Sequence, residues 1–246
     1  MATSDAGLTG GGGRSRPGPL PQAAFYWEQL YASGQRPWGE AASELARLAV
    51  ARLGAAGRSV AAPAPYTLLD VGCGYGRDSR YLAGELKCRV VGVDPSPAAI
   101  TAARAARSRA LDVEYIECDA VRLAADPEHA GPYDVLFVGQ VYALLGPIGR
   151  REFVSALFSL ARPGGLLFLC TLSPRDAQHY AVGRPVAGEE RSWLDHTYLH
   201  FCTAEELAAD FAVFELLDLD ERSYEEEKPG GGVHRHTSWF LEGRRR

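Results

Sequence analysis

Three aspartates placed at or beside the ends of short apolar runs are the residues here most able to do chemistry. Asp70 stands one residue before the end of Tyr66–Val71, Asp94 closes Arg89–Asp94, and Asp119 follows Val113–Cys118. Gly72, Gly74 and Gly76 come at alternate positions directly after the first run, separated by Cys73 and Tyr75. Glycines at the exit of a buried strand let the backbone approach a ligand, and the amides opening the next helix offer donors. Asp94 lies about 20 residues further on, where doubly wound folds set an acid against ribose hydroxyls. The pattern predicts a nucleotide-type ligand. An acid closing an apolar strand beside Pro95 has little structural purpose of its own. Asp70 could instead cap the glycine turn, and Asp119 could be a surface acid that starts a helix.

The second group of chemically able residues is histidine. His196 and His200 are four apart, and His234 and His236 are two apart, so the latter share one face if a strand begins there. Imidazole titrates near neutrality, which makes His200 and His236 candidate general bases, with packing or surface roles as the alternative. Four histidines in the last quarter could also meet at a metal, but nothing in the spacing fixes their geometry, and no metal is assigned.

The elements that must position these groups alternate. Strands are expected at Tyr66–Val71, Arg89–Asp94, Val113–Cys118, Tyr133–Val138 and Leu166–Thr171, with helices over Arg77–Leu86, Pro97–Arg107 and Gly149–Ala161. Strands this apolar, separated by helix-length spacers, predict an α/β fold with a parallel sheet covered on both faces. A helix over Thr203–Phe211 precedes two further strands, Val213–Leu219 and Thr237–Glu242, read as an antiparallel hairpin at the sheet edge. Residues 1–21 have little to bury and are expected to be a disordered tail. Residues 22–246 are expected to form one domain. Within it, 22–56 hold an aromatic helix and a second helix beginning near Glu40, 57–65 a linker, and 173–202 an irregular, aromatic insertion.

Composition narrows the class. The 246 residues are 46% hydrophobic and 23% charged, ordinary for a globular protein. A net charge of −5 argues against a partner held through phosphates, so no nucleic acid is expected. No apolar run approaches membrane-spanning length, and no secretory pattern opens the chain. Five scattered cysteines without a C-x-x-C fit reduced thiols, and a cytoplasmic protein is expected. Lys occurs only at 87 and 228 among 26 basic residues, which reads as genome composition.

Taken together, Asp70-Val71-Gly72-Cys73-Gly74-Tyr75-Gly76, Gly92-Val93-Asp94-Pro95-Ser96, Cys118-Asp119-Ala120 and Arg162-Pro163-Gly164-Gly165 resemble the class I S-adenosylmethionine-dependent methyltransferases. The resemblance covers roughly residues 60–172. A dinucleotide site would want its third glycine one residue later. The resemblance implies a Rossmann-like, seven-stranded, mostly parallel sheet with helices on both faces and a C-terminal antiparallel hairpin. It implies S-adenosylmethionine as cofactor. Gly72 and Gly74 would approach its methionine part, and Asp70 would orient that loop or meet the amino group. Asp94 would accept from both ribose hydroxyls, Asp119 from the adenine amino group, and Ala120 would donate to the ring. Cys73, Gly76, Pro95, Gly139 and Trp38 complete the implied cofactor site. Tyr142, just past the fourth strand, would sit near the transferred methyl, with a core tyrosine as the alternative.

Phe25-Tyr26-Trp27-Glu28-Gln29-Leu30-Tyr31 and Gly34-Gln35-Arg36-Pro37-Trp38 resemble the lid of the narrower thiopurine and tellurite-resistance branch. Ordinary packing of Trp27 and Trp38 on the sheet is compatible with that. Residues 173–202 would be a mobile lid over the acceptor. After the fourth strand comes Gly139-Gln140-Val141-Tyr142, not the Asn/Asp-Pro-Pro-aromatic signature of base-amine methylation. A small-molecule acceptor is therefore expected, either a sulfur or selenium nucleophile or an oxygen or nitrogen of a natural product. The protein would act as a monomer or homodimer. A non-catalytic cofactor-binding module, or an enzyme of the same fold running a different reaction, are the alternatives.

Overall fold

Leu68, Val90, Val135, Phe137, Leu166 and Phe168 project to one side of a sheet, and Leu69, Val91, Leu136, Val138, Leu167 and Leu169 to the other. Strands buried on both faces need a layer of helices on each. The computed structural model of the protein, describing residues 21–56, 66–227 and 229–246, has both layers. The strands are β1 Thr67–Val71, β2 Arg89–Asp94, β3 Val113–Glu117, β4 Tyr133–Gly139 and β5 Ala161–Leu172. Three short strands follow, β6 Arg184–Pro185, β7 Ser192–Leu194 and β8 Tyr198–His200, and then β9 Phe214–Glu227 and β10 Val233–Arg245. The helices are α1 Pro21–Ala32, α2 Glu44–Ala56, α3 Arg77–Leu86, α4 Pro97–Ala105, α5 Ala120–Ala124, α6 Pro147–Leu160 and α7 Ala204–Asp210. Leu45 of α2, Leu82 of α3 and Ile100 of α4 cover one face, while Leu123 of α5 and Phe153 and Leu157 of α6 cover the other.

The main sheet runs β3-β2-β1-β4-β5-β10-β9, with the first five strands parallel and β10 antiparallel to both its neighbours. The expected seven-stranded Rossmann-like architecture is what is observed. Chain order reverses between β1 and β4, so the loops leaving their C-terminal ends part there and open a crevice, the usual ligand position in such sheets.

Three stretches differ from the sequence reading. The closing strands continue well past Leu219 and begin before Thr237, because β9 is an edge strand on which Ser223, Glu225 and Glu227 need no apolar cover. Residues 173–202 contain a second sheet, β6-β7-β8, whose strands of two or three residues are too short to show a period. Helix α5 was hidden by its length of five residues. The expected linker, 57–65, and all of the expected tail but its last residue lie outside the described residues; that last residue, Pro21, opens α1 and is corrected. No helix among the described residues is long and apolar enough to cross a membrane.

Candidate functional site

β1 delivers the chain into the glycine loop, and β2 holds the loop down. The amides of Gly72 and Cys73 both donate to the Val93 carbonyl, at 2.8 and 3.0 Å. Gly72 has φ +74°, and a Cβ there would lie 2.2 Å from Val141 Cγ2. A Cβ on Gly74 would come within 3.0 Å of the Tyr31 hydroxyl. Both glycines line a cavity of about 880 Å³, together with Asp70, Cys73, Asp94, Pro95, Asp119, Ala120 and Gly139. Gly76 does not line it. Its φ of +75° starts α3, and its missing side chain leaves room for the Tyr115 hydroxyl, so the expected cofactor contact is corrected to a packing role.

Asp94 has the structural purpose that its sequence context hid. One carboxylate oxygen accepts from the Gly74 amide and the other from the Ser96 amide, each at 2.9 Å. A carboxylate offers about four lone-pair positions, so about two remain for a ligand with neighbouring hydroxyls. Burial pushes its pKa from 3.8 up to about 6, against the pull of those two amides. Asp119 fits both of its readings, since it caps α5 by accepting from the Arg122 amide at 2.8 Å and also lines the cavity.

Asp70 is buried and accepts from the Ser79 hydroxyl at 2.5 Å, tying the loop to α3. Burial pushes its pKa from 3.8 up to about 7, with the Ser79 bond opposing and Asp78 and Asp94 adding. The folded state therefore holds this proton more tightly than the unfolded chain, and stability is lost as pH rises from about 4 to about 7. Asp70→Asn removes that loss. The variant is expected to be more stable than the parent at pH 8 by on the order of a few kcal/mol, and so to melt higher, with the gap closing toward pH 4. Thermal unfolding at the two pH values checks it, and a gap that does not change with pH overturns it.

The roof of the cavity comes from α1 and the turn after it. Glu28 accepts from the Ser96 hydroxyl at 2.5 Å and the Ala98 amide at 3.2 Å, which fastens α1 to the first turn of α4. The turn is fastened to the glycine loop. Arg77 donates to the Trp38 carbonyl at 2.8 Å, and the Tyr75 hydroxyl to the Gly39 carbonyl at 2.7 Å. Trp27 lies 6.0 Å from Tyr31 and 6.3 Å from Trp38, ring centre to ring centre, and all three line the cavity. Trp27 and Trp38 thus pack against each other at the cavity wall. Tyr31, the last residue of the aromatic stretch singled out in the sequence, is a wall residue one helical turn after Trp27.

Of the three residues expected near the transferred methyl, one lines the cavity. Tyr142 is fully buried between Phe153 and Phe211 and donates to Asp210 at 2.5 Å. Burial, with Asp210 beside it, pushes its phenol far above the ordinary range. It is a core tyrosine, and the pocket role is corrected. His200 is buried away from the cavity, with Nδ1 2.9 Å from Ser192 Oγ and Nε2 2.8 Å from Glu206. Glu206 also accepts from Arg150 and Arg191, so His200 braces the small sheet against α7 and is not a base facing a ligand. His236 does line the cavity, packed among Trp38, His179, Tyr224 and His234 with ring centres 5.0 to 5.9 Å away. His196 is exposed and stacks on Tyr26, so the four C-terminal histidines do not meet at one point.

Nothing in the sequence pointed to Gln140. Its φ is +58°, rare for a side chain of this kind, and its amide nitrogen donates to Ser238 Oγ at 3.0 Å and the Tyr224 hydroxyl at 3.1 Å. The amide oxygen is left buried at the cavity wall with no partner among the described residues.

Residues 68–165 match the family described as Methyltransferase domain. These residues are a methyltransferase domain. Its fold, completed by β10 and β9, is that of the class I S-adenosylmethionine-dependent methyltransferases. A ubiquinone biosynthesis O-methyltransferase of Caulobacter vibrioides is 36% identical to this chain over 162 residues, which is 63% of this chain and 62% of that one. The chain thus spans about three fifths of that relative's length. Among solved structures, one obtained for the conversion of a disulfide bond into a thioacetal group during echinomycin biosynthesis has a TM-score of 0.68 at 23% identity, covering 90% of this chain and 92% of that one. The 1,6-didemethyltoxoflavin-N1-methyltransferase of Burkholderia thailandensis, with bound 1,6-didemethyltoxoflavin and S-adenosylhomocysteine, has a TM-score of 0.60 at 20% identity, covering 94% and 93%.

Proposed function

We propose that the protein binds S-adenosylmethionine along the glycine loop and methylates a small molecule held at the histidine end of the same cavity. One observation carries this reading: a glycine loop, an acid with spare lone pairs and an aromatic chamber ending in His236 open onto one space. Gly72 and Gly74 leave the backbone bare where a methionine moiety would lie, Asp94 has acceptor capacity for two ribose hydroxyls, and Asp119 and Ala120 stand where an adenine edge would be read. When bound, the cofactor supplies an electrophilic methyl whose bond electrons stay on sulfur as the acceptor bond forms. The chain's own work is then to hold the two reactants in line, keep water out with Trp27, Tyr31 and Trp38, and let the acceptor lose its proton at the His236 end.

The named activity of the ubiquinone relatives favours an oxygen nucleophile among the acceptors expected from the sequence. The aromatic walls suit a planar one. We place the protein in the cytoplasm on its five scattered cysteines, without nucleic acid on its acidic balance, and as a monomer or homodimer. Calorimetric titration with S-adenosylmethionine, S-adenosylhomocysteine and NAD tests the reading. Micromolar binding of the first two and none of NAD is expected. Binding of NAD alone, or of none of the three, overturns it.

A further inference from the structure

His236 is only 6% exposed, yet neither of its ring nitrogens has a hydrogen-bond partner among the described residues. Buried polar atoms in native proteins are paired, and an orphan imidazole points to a species that pairs it. Two carboxylates flank the ring. Asp176 Oδ2 lies 3.6 Å from Nδ1, and Glu226 Oε2 lies 3.8 Å from Nε2. These separations are too long for hydrogen bonds. The shorter one is close to the spacing of two donors on one tetrahedral ion, about 3.4 Å for bonds of about 2.1 Å.

A third donor completes the set. His179 lines the cavity and lies parallel to His236, with ring centres 5.0 Å apart. Asp176, His179 and His236 each offer one ligand atom, and the three atoms lie within 4.8 Å of one another. Asp176 is fixed in place by the backbone. Its Oδ1 accepts from the amides of Gln178 and His179, at 3.1 and 2.9 Å, and its Oδ2 from the amide of Thr237, at 3.1 Å. Oδ1 also lies 2.8 Å from His179 Nδ1, which holds that ring beside the carboxylate. The donors therefore come from two chain segments, the loop after β5 and the start of β10, already tied together.

We propose that Asp176, His179 and His236 bind a divalent first-row cation at the acceptor end of the cavity, Zn²⁺ being the ion their donors suit. Two imidazoles and one carboxylate with an open position is a set used by catalytic metal centres. Asp176 balances part of the ion's charge, while Glu226 is shared with Arg77 at 3.2 Å. Its role in the reaction rests on the methyltransferase reading: an acceptor hydroxyl or thiol that joins the open position gives its proton to solvent and becomes the anionic nucleophile.

A second convergence, His200, Cys202 and Glu206, does not compete. Both nitrogens of His200 are hydrogen-bonded, Glu206 is paired with two arginines, and burial pushes the Cys202 thiol up to about 12.

The test uses the full chain, stripped with a chelator. Zn²⁺ is titrated by calorimetry and Co²⁺ by its visible absorption, with S-adenosylhomocysteine titrated on the same samples. One equivalent of Zn²⁺ and a Co²⁺ spectrum of low-coordinate character are expected. His179→Ala should weaken Zn²⁺ at least about 100-fold, the upper end of the effect of losing even an outer partner. His129→Ala, which lies elsewhere beside Asp126, should leave it unchanged. The proposal falls if the parent protein takes up no Zn²⁺, or if binding survives His179→Ala and disappears in His200→Ala. S-adenosylhomocysteine binding without Zn²⁺ binding would sink the metal site alone, and the reverse would sink the cofactor reading alone.

Discussion

Asp94→Ala is expected to lower affinity for S-adenosylhomocysteine by about 100- to 10,000-fold, because two hydrogen bonds from ligand hydroxyls to a buried charge contribute about 1.5–3 kcal/mol each. The geometry adds a second route to the same loss. Without the carboxylate, nothing at position 94 accepts from the amides of Gly74 and Ser96, so the loop that should cradle the ligand keeps its bonds to Val93 but loses its second tie to the end of β2. Those two amides can turn to water in the cavity, and the cost to folding should stay near 1–2 kcal/mol. Calorimetry for the ligand and thermal unfolding for the fold separate the two effects. Unchanged affinity would mean that the ribose has been placed wrongly. A collapse of the fold would mean that Asp94 serves the loop alone.

The second large effect is expected from Gly72→Ala, which combines two penalties at one position. A left-handed backbone costs an ordinary residue about 1–2 kcal/mol, and the new methyl would sit 2.2 Å from Val141 Cγ2. Crowding of that kind typically costs about 1–3 kcal/mol more. Val141 has little freedom to yield, since it follows Gln140 with its own positive φ. A drop in melting temperature of about 5–15 °C follows for a domain of this size, together with loss of cofactor binding. Gly188→Ala is the control, for its φ is +78° but nothing lies within 4 Å of the added atom. It should show the backbone penalty alone. Equal drops in the two variants would refute the crowding by Val141.

The parts of this molecule that could be read from the residues are those governed by local rules. β2 spans its apolar run from Arg89 to Asp94, and α3 opens directly after Gly76, as the residues predict. The glycine loop announces itself because the left-handed backbone at Gly72, Gly74 and Gly76 has few other residues available to it. The acceptor end is much harder to see, for a physical reason. Whether a histidine faces a cavity or a carboxylate depends on what lies opposite, and that is decided by strand pairing across the chain. His200 and His236 look alike as residues, yet β8 turns one toward Glu206 while β10 turns the other toward Asp176 and Trp38. Asp176 and His179, three apart after β5, carry a usable signal as an acid and imidazole within one turn. Gln140 carries none, because no property of glutamine foretells a positive φ.

The cavity has two halves of different origin. Its glycine-loop half comes from β1, β2 and the starts of α3, α4 and α5, inside the stretch matched by the methyltransferase family. Its aromatic and histidine half comes from α1, the segment after β5 and the strands β9 and β10, all of it outside that stretch. The ties that shape the first half, from Gly72 to Val93 and from Gly74 to Asp94, involve no residue of the second. On the proposed reading, the acceptor walls from β9 and β10 can be exchanged to admit a different molecule while these hydrogen bonds stay in place, whereas α1 is fastened to α4 through Glu28 and changes less freely. This division also makes the flanking segments the place to randomise when a new acceptor is sought.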